Sequence, residues 1–436
     1  MSDGPEVAVV GGGIAGLAAA LAARRQGASV WLVDGPAGAT ALAGGAWDLA
    51  SRRRDRAPTV AAPRSIDRAL DDVARERPLH PWARLPRAAA LGAIRASHDA
   101  VLRALSGYRA LGEVADAELV ATDLGLWRRT ALAQENVLDL GRLPRARVAV
   151  AWMRGVRSFD GPFVAASLNE EAVRAGDGRR FAAVEVEMLR RGADVLLLPH
   201  EAAALFDHPD ARHRAVEGLH RALGGQGFDA VLVPPVLGVE DGGAWAAAEA
   251  AVGLPVGEVV EALAGPQSLR LARRIRAALQ AEGIVRRAMR VGRVALDAEG
   301  PHAELEGGET LHPGALVLAT GKHVGGGITL QAGQARESLS ELPVYAEGAP
   351  LGPGSRDPAE LFGVEASETG AGFTLGVGWD AELRPLDVHG RPVSRDLFAC
   401  GALLEGVAVD DGTGLGAACA TGWLAGTAAA RRALRV

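Results

Sequence analysis

A chain of 436 residues, 48% hydrophobic and 23% charged, is long enough for two or three domains and reads as globular. Its net charge of −6 and 4% aromatic content give no electrostatic or stacking reason to expect nucleic acid. Its 2 cysteines, Cys400 and Cys419, form no Cys/His cluster, so no metal site and no cysteine-ligated iron–sulfur cluster is expected, and the setting is expected to be reducing and cytoplasmic. The chain enters an apolar strand without a basic leader, and no long uncharged apolar stretch follows. Neither a secretory signal nor a transmembrane segment is therefore expected.

The spacing predicts a strand at Val7–Val10, the loop Gly11-Gly12-Gly13-Ile14-Ala15-Gly16, and an alanine-rich helix from about Leu17 to Gln26 closed by Gly27. A second strand covers Ser29–Val33 and ends at Asp34. A small-residue loop runs from Gly35 to Gly45, and Arg52–Arg56 is a solvated charge run. Helices broken at Pro78 to Pro86 are expected over Ser65–Leu111, then short strands and turns over 113–140 and a strand at Arg147–Trp152. From 157 to 264 the pattern is mixed, with strands at Phe181–Leu189 and Asp229–Pro234 and a helix at Pro209–Leu223. The helix Gln267–Gln280 leads to three strand-like runs at 284–290, 292–297 and 301–306, and then to the strand Ala315–Ala319. The strand Leu397–Gly401, a Gly-rich loop at Gly406–Gly416 and a helix over about Leu415–Leu434 close the chain.

Gly11-x-Gly13-x-x-Gly16 has the context that gives this motif its meaning: strand before, helix after, second strand next. Gly11 permits the tight turn, Gly13 a close approach of backbone to pyrophosphate, and Gly16 close helix–strand packing. Ile14 and Ala15 lie in this loop as further candidate contacts, and the start of the helix that follows offers free N–H groups and its dipole to phosphate. Asp34, 18 residues beyond Gly16, is placed to accept hydrogen bonds from an adenosine ribose. The motif by itself leaves FAD and NAD open.

Val317-Leu318-Ala319-Thr320-Gly321 resembles the second fingerprint of two-dinucleotide-domain flavoproteins. Leu397-Phe398-Ala399-Cys400-Gly401 with Gly412-Thr413-Gly414-Leu415-Gly416 resembles the closing flavin motif of fumarate reductase and succinate dehydrogenase flavoproteins. The resemblance implies that the helix start at Gly414, Leu415 and Gly416 faces the flavin C2=O, where a helix dipole stabilises the reduced state. It also implies an acid after Gly401. Ala402 stands there instead, with Glu405, Asp410 and Asp411 out of register, so FMN stays open beside FAD.

Several segments taken in order resemble the B subunit of the anaerobic glycerol-3-phosphate dehydrogenase family. They are Gly44-Gly45-Ala46-Trp47-Asp48-Leu49, His80-Pro81-Trp82, Gly125–Thr130, Phe159–Leu168, Val231–Pro235 and Ala319–Gly327. The resemblance implies a respiratory-dehydrogenase subunit that oxidises sn-glycerol 3-phosphate to dihydroxyacetone phosphate and passes electrons toward quinone. The partners implied are a catalytic flavoprotein subunit and an iron–sulfur subunit, and the location is cytoplasmic or peripheral on the inner face of the membrane. Family usage favours FMN, and Asp34 favours FAD.

The fold expected is α/β: a Rossmann-like FAD-binding domain of three layers with a mostly parallel sheet, and an inserted α+β cap. The flavin domain takes 1–55, 265–330 and 395–436. The cap takes 56–264, with the strand at 147–152 open to returning to the flavin sheet, and 331–394 forms a second cap segment. Around the flavin, Gly44, Gly45, Asp48, Thr320, Gly321 and Gly401 are further candidate contacts. The lone lysine among 47 Lys+Arg, Lys322, is assigned to tuning the flavin or binding an anion, and His323 to accepting the substrate proton. Arg128 and Arg129 are candidates to clamp a small phosphorylated substrate, and Arg157 and Asp160 are placed in a loop near the cap interface. Two other functions stay open: a self-contained fumarate-reductase-like enzyme, and a non-catalytic electron-transfer or assembly subunit.

Overall fold

The computed structural model describes residues 4–49, 65–110, 118–153, 155–187, 196–240, 243–262, 264–331, 334–352, 371–408 and 413–435. The charge run 52–56 and the residues Asp410, Asp411 and Gly412 lie outside the described residues. Backbone contacts divide the chain into two compact units. The first takes Met1–Thr40, Asp67–Ser106 and Arg274–Val436, and the second takes Ala41–Ile66 and Gly107–Arg273.

The first unit is built on five parallel strands. They are β1 (Val7–Val10), β2 (Val30–Val33), β3 (Val285–Arg287), β4 (Ala315–Leu318) and β5 (Leu397–Ala399), in the order β3-β2-β1-β4-β5. β1 lies between partners far apart in sequence, with Val7 opposite both Val30 and Ala315. Parallel strands covered on both faces read as unbroken apolar runs, and Val-Ala-Val-Val and Ala-Leu-Val-Leu are of that kind. Three helices join this sheet: α1 (Ile14–Arg25), α2 (Arg87–Ala104) and α3 (Gly414–Leu434). An antiparallel meander of Val291–Asp297, Gly300–Leu305 and Thr310–Leu311 packs on β4.

α1 is buried from Ile14 to Ala23, and alanine supplies most of that surface. The small face lets α3 come very close. A Cβ on Gly422 would overlap the Ala15 carbonyl, and one on Gly426 the Ala19 carbonyl. Both partners advance by four residues together, so α1 and α3 run parallel.

The second unit has its own four-stranded parallel sheet, in the order Val256–Glu258, Ala230–Val233, Arg147–Met153, Arg180–Val186. The helices Gly161–Arg174, Pro209–Leu223 and Gly243–Val252 contribute to its apolar cores. Two antiparallel pairs accompany the sheet: Tyr108–Ala110 with Leu132–Gln134, and Glu118–Ala121 with Trp127–Thr130.

These boundaries differ from the sequence reading in several places; residues 41–55 and 265–273, expected in the flavin domain, fall in the second unit. The strand at 147–153 is central in the second unit's sheet and does not join the first. The segment 67–106 belongs to the first unit because α2 packs on α3 and α1. The segment expected as a second cap, 331–394, also falls within the first unit. Among the described residues, no helix is long and apolar enough to cross a membrane.

Candidate functional site

In parallel sheets, ligands gather at the carboxyl ends of the strands. In the first unit that edge carries Gly11, Asp34, Thr320 and Gly401, which follow β1, β2, β4 and β5. The Gly11 N–H donates to the Val33 carbonyl at 2.8 Å, and its φ of +118° is one that side chains avoid. The Ala319 carbonyl fills the space a Cβ there would need, and a Cβ on Gly16 would overlap the Gly11 carbonyl. β1, β4 and α1 therefore meet only over glycine.

Gly13 is the N-cap of α1 in extended conformation and has no side chain with which to cap it. The first-turn N–H groups thus lack intrahelical partners. One is satisfied from elsewhere, since the Ile14 N–H donates to Thr40 Oγ1 at 3.1 Å. Those of Ala15 and Gly16 remain at the positive end of the helix dipole, the arrangement that binds phosphate.

Asp34 rests against Gly12: its Cβ lies 2.6 Å from the place a Gly12 Cβ would occupy. Asp34 Oδ2 accepts from Arg286 Nε at 2.9 Å and from Nη2 at 2.8 Å. Oδ1 is buried without a hydrogen-bond partner, and so is Thr320 Oγ1 at the end of β4. Such orphans are costly unless something satisfies them. A ribose hydroxyl would satisfy Asp34, and a dinucleotide laid across this edge would reach both atoms. The residues present therefore fit one.

On the other flank, Cys400 and Gly401 continue β5. The Gly401 N–H donates to Thr421 Oγ1 at 3.0 Å, and its φ is +70°. Burial pushes the Cys400 thiol well up, so it stays protonated. Ala402 lies in a short 3₁₀ turn, Gly401–Leu403. Glu405 takes up other contacts: its Oε1 accepts the Gly348 N–H at 2.7 Å, and Oε2 lies 3.6 Å from Arg84. Burial pushes the Glu405 carboxyl up, against the pull of Arg84 and Lys322. α3 then begins at Gly414, after Thr413.

Lys322 Nζ donates to the Phe373 carbonyl at 3.0 Å and to the Val407 carbonyl at 2.7 Å. Its ammonium is buried and ties two chain segments together. His323 Nε2 lies 3.0 Å from the Gly372 carbonyl. A carbonyl can only accept, so Nε2 carries the proton, and in the neutral ring Nδ1 is the basic nitrogen.

Gly44, Gly45 and Asp48 lie in the second unit. A Cβ on Gly45 would stand 2.5 Å from the Tyr108 hydroxyl and 2.8 Å from Gln134 Nε2, and one on Gly44 2.5 Å from the Glu261 carbonyl. Asp48 is buried and holds Arg128, with Nε at 2.7 Å and Nη2 at 2.6 Å. Arg129 is buried in the neighbouring position, and Asp160 caps the helix Gly161–Arg174 through the Phe163 N–H. Beneath the glycines lies a buried polar network. Arg270 grips Glu258 with two bonds of 2.7 and 2.8 Å, and Gln267 donates to Glu258 and to the Val259 carbonyl.

The sequence reading missed Thr40, Arg286 and His80 as site elements. Thr40 and Arg286 reach the site only through tertiary pairing, from a short turn and from an edge strand. His80 carried a local signal, since His-Pro marks a helix start, but its long-range partner did not.

The family model described as the FAD binding domain matches residues 6–415. The chain is 28% identical to the B subunit of anaerobic glycerol-3-phosphate dehydrogenase from Yersinia pestis bv. Antiqua (strain Antiqua) over 415 residues, which is 92% of each chain. It is 29% identical to the protein of the same name from Pectobacterium carotovorum subsp. carotovorum over 361 residues, 78% of this chain and 81% of that one. Among solved structures, 3-ketosteroid delta1-dehydrogenase from Sterolibacterium denitrificans is 12% identical with a TM-score of 0.44, covering 98% of this chain and 100% of that one. A flavocytochrome c3 fumarate reductase is 13% identical with a TM-score of 0.43, covering 99% and 79%.

Proposed function

The chain belongs to the FAD-binding-domain family and takes FAD as its cofactor, and from that premise we propose that it is the flavin-bearing subunit of a multi-subunit dehydrogenase that oxidises sn-glycerol 3-phosphate. The reading is carried by the similarity, along 92% of both chains, to a relative named as the B subunit of such an enzyme. Dihydroxyacetone phosphate is the product, and electrons leave toward quinone through an iron–sulfur partner. The assembly then sits on the cytoplasmic face of the membrane through its other subunits.

Bound FAD supplies the two-electron acceptor for a secondary alcohol. The chain's own residues do the rest. The α1 start takes the pyrophosphate on Gly13, Ala15 and Gly16. Asp34, held by Arg286, takes the adenosine ribose on Oδ1. Thr320, Gly321, Gly401 and Gly414–Gly416, which follow β4 and β5 on the other side of β1, would hold the flavin half. Lys322 keeps the Phe373 and Val407 segments in place beside that half. His323 is the residue assigned to receive the hydroxyl proton.

The engagement of Lys322 with two carbonyls, and of Arg128 with Asp48, favours a second reading. In it, substrate chemistry belongs to a partner subunit, and this chain relays electrons. Anaerobic addition of sn-glycerol 3-phosphate to the isolated holoprotein, and to the assembled complex, separates the two. Bleaching of the flavin absorbance in both supports the first reading, and bleaching only in the complex supports the second. A flavin that stays oxidised in the assembled complex refutes both.

A further inference from the structure

In the five-stranded sheet β1 lies between β2 and β4, and its end carries the Gly11–Gly13 turn that opens α1. The loops that follow β2 and β4 meet across that end. A Cβ on Gly38, in the loop after β2, would stand 3.6 Å from Gly325 Cα, and one on Gly325, in the loop after β4, would stand 3.7 Å from Gly38 Cα. Just beyond Gly38, Thr40 lands on α1, where its Oγ1 accepts the Ile14 N–H at 3.1 Å.

The loop after β4 is drawn down onto its own start. A Cβ on Gly325 would overlap the Thr320 carbonyl, and one on Gly327 would overlap the Gly321 carbonyl and stand 2.6 Å from Thr320 Oγ1. Gly327 thus helps to shut the Thr320 hydroxyl from solvent. Both ends of this strap are tied. Lys322 and His323 fix its start to the carbonyls of Phe373, Val407 and Gly372. Ser338, an exposed residue, latches the far end: its hydroxyl donates to the Gly326 carbonyl, and its N–H donates to the Gly327 carbonyl at 3.1 Å.

A dinucleotide laid from Asp34 to Thr320 crosses the end of β1, the place these two loops bridge. Asp34 Oδ1 and Thr320 Oγ1 are both shut from solvent and lack hydrogen-bond partners, and the second is out of reach while Gly327 covers it. On the reading that places the pyrophosphate at the start of α1, we propose that Gly325–Gly327, latched by Ser338, is a gate that lifts away from Gly38 to let FAD in or out and closes over it once seated. The Ser338 bond lies within the protein and forms whether or not the cofactor is bound. Its loss therefore favours opening equally in both cases, so uptake and release quicken together and affinity hardly changes.

The test follows flavin fluorescence as FAD is taken up by the apoprotein and released by the holoprotein. Ser338→Ala removes the hydroxyl and keeps the N–H bond to Gly327. Both rates are expected to rise about fivefold, the change in equilibrium that one ordinary hydrogen bond makes, with the dissociation constant within about twofold of wild type. Gly38→Ile reaches past the space a methyl group fills, wedges the loops apart, and is expected to quicken both rates as well, whereas Gly38→Ala should change neither. Wild-type rates in Ser338→Ala or in Gly38→Ile overturn the proposal. So does faster release with unchanged uptake, since the latch would then only grip the bound cofactor. A merely structural role for Ser338 does not quicken uptake. Wild-type FAD affinity in Asp34→Ala would overturn the placement of the cofactor itself, and the gate with it.

Discussion

Replacing Glu261 by glutamine should make the protein more stable at neutral pH and almost indifferent at mildly acidic pH. Glu261 is buried. It exchanges hydrogen bonds with Gln267, its Oε2 accepting the Gln267 N–H at 3.0 Å and its own N–H donating to Gln267 Oε1 at 3.0 Å. Its other oxygen, Oε1, has no partner. Burial, and then the neighbouring Glu258 charge, push its carboxyl up to about 8, against the pull of Arg270. The folded value lies above the unfolded one, so the stability from this group is complete below the unfolded value of 4.5 and is lost as pH rises toward 8. Over that window the loss is about 1.4 kcal/mol per pH unit, hence about 3 kcal/mol between pH 5.5 and 7.5. Glutamine cannot ionise and keeps the acceptor for the Gln267 N–H. Urea unfolding followed by tryptophan fluorescence reads the difference, because Trp47 and Trp127 are buried in the same unit. Other groups titrate alike in both proteins and cancel. The urea midpoint of the variant should therefore gain on wild type by about 1 M or more between the two pH values. Parallel pH profiles for wild type and variant refute the reasoning.

Arg270→Met should cost about 3–5 kcal/mol by leaving the Glu258 carboxylate buried and unpaired, and scanning calorimetry should show a lower unfolding temperature. Gly426→Ala should destabilise by about 1–3 kcal/mol, because its methyl group drives α3 off the Ala19 carbonyl; a wild-type melting curve would contradict that packing. Asp34→Ala should weaken FAD binding by about tenfold or more while leaving FMN binding unchanged, which calorimetric titration of the apoprotein would read. Lys322→Met should loosen the segments at Phe373 and Val407 and speed their cleavage in limited proteolysis, and arginine, with its larger planar head, should not restore the resistance.

Local chemistry was legible in the sequence. The glycines at 11, 13 and 16 stand in a strand–turn–helix context short enough to read as one unit, and Asp34 follows at the end of the next strand. Pro209–Leu223 is expected and found with the same limits, because its proline start and the glycine after it punctuate both ends. What the sequence hid depends on distant pairing. Arg147–Met153 is apolar enough for either sheet, and only its partners Arg180–Val186 and Ala230–Val233 decide which. The helices at 66–104 read correctly as helices, but nothing local assigns α2 to α3 and α1. Asp48 lies beside a glycine pair that looked like a cofactor loop, and its ion pair with Arg128 could not be seen without the fold.

β1 and α1 have a further consequence, for the order in which the protein is made. Both are complete within the first 25 residues, yet β1 needs β4 beside it, and α1 needs the glycines of α3 at 422 and 426. At ordinary synthesis rates of about 5–20 residues per second, these apolar segments wait roughly 20–80 s for partners. An N-terminal dinucleotide motif is therefore no early folding nucleus in this chain. The cofactor can be gripped only after the last helix has left the ribosome, and until then the alanine-rich face of α1 is the surface a chaperone would have to cover.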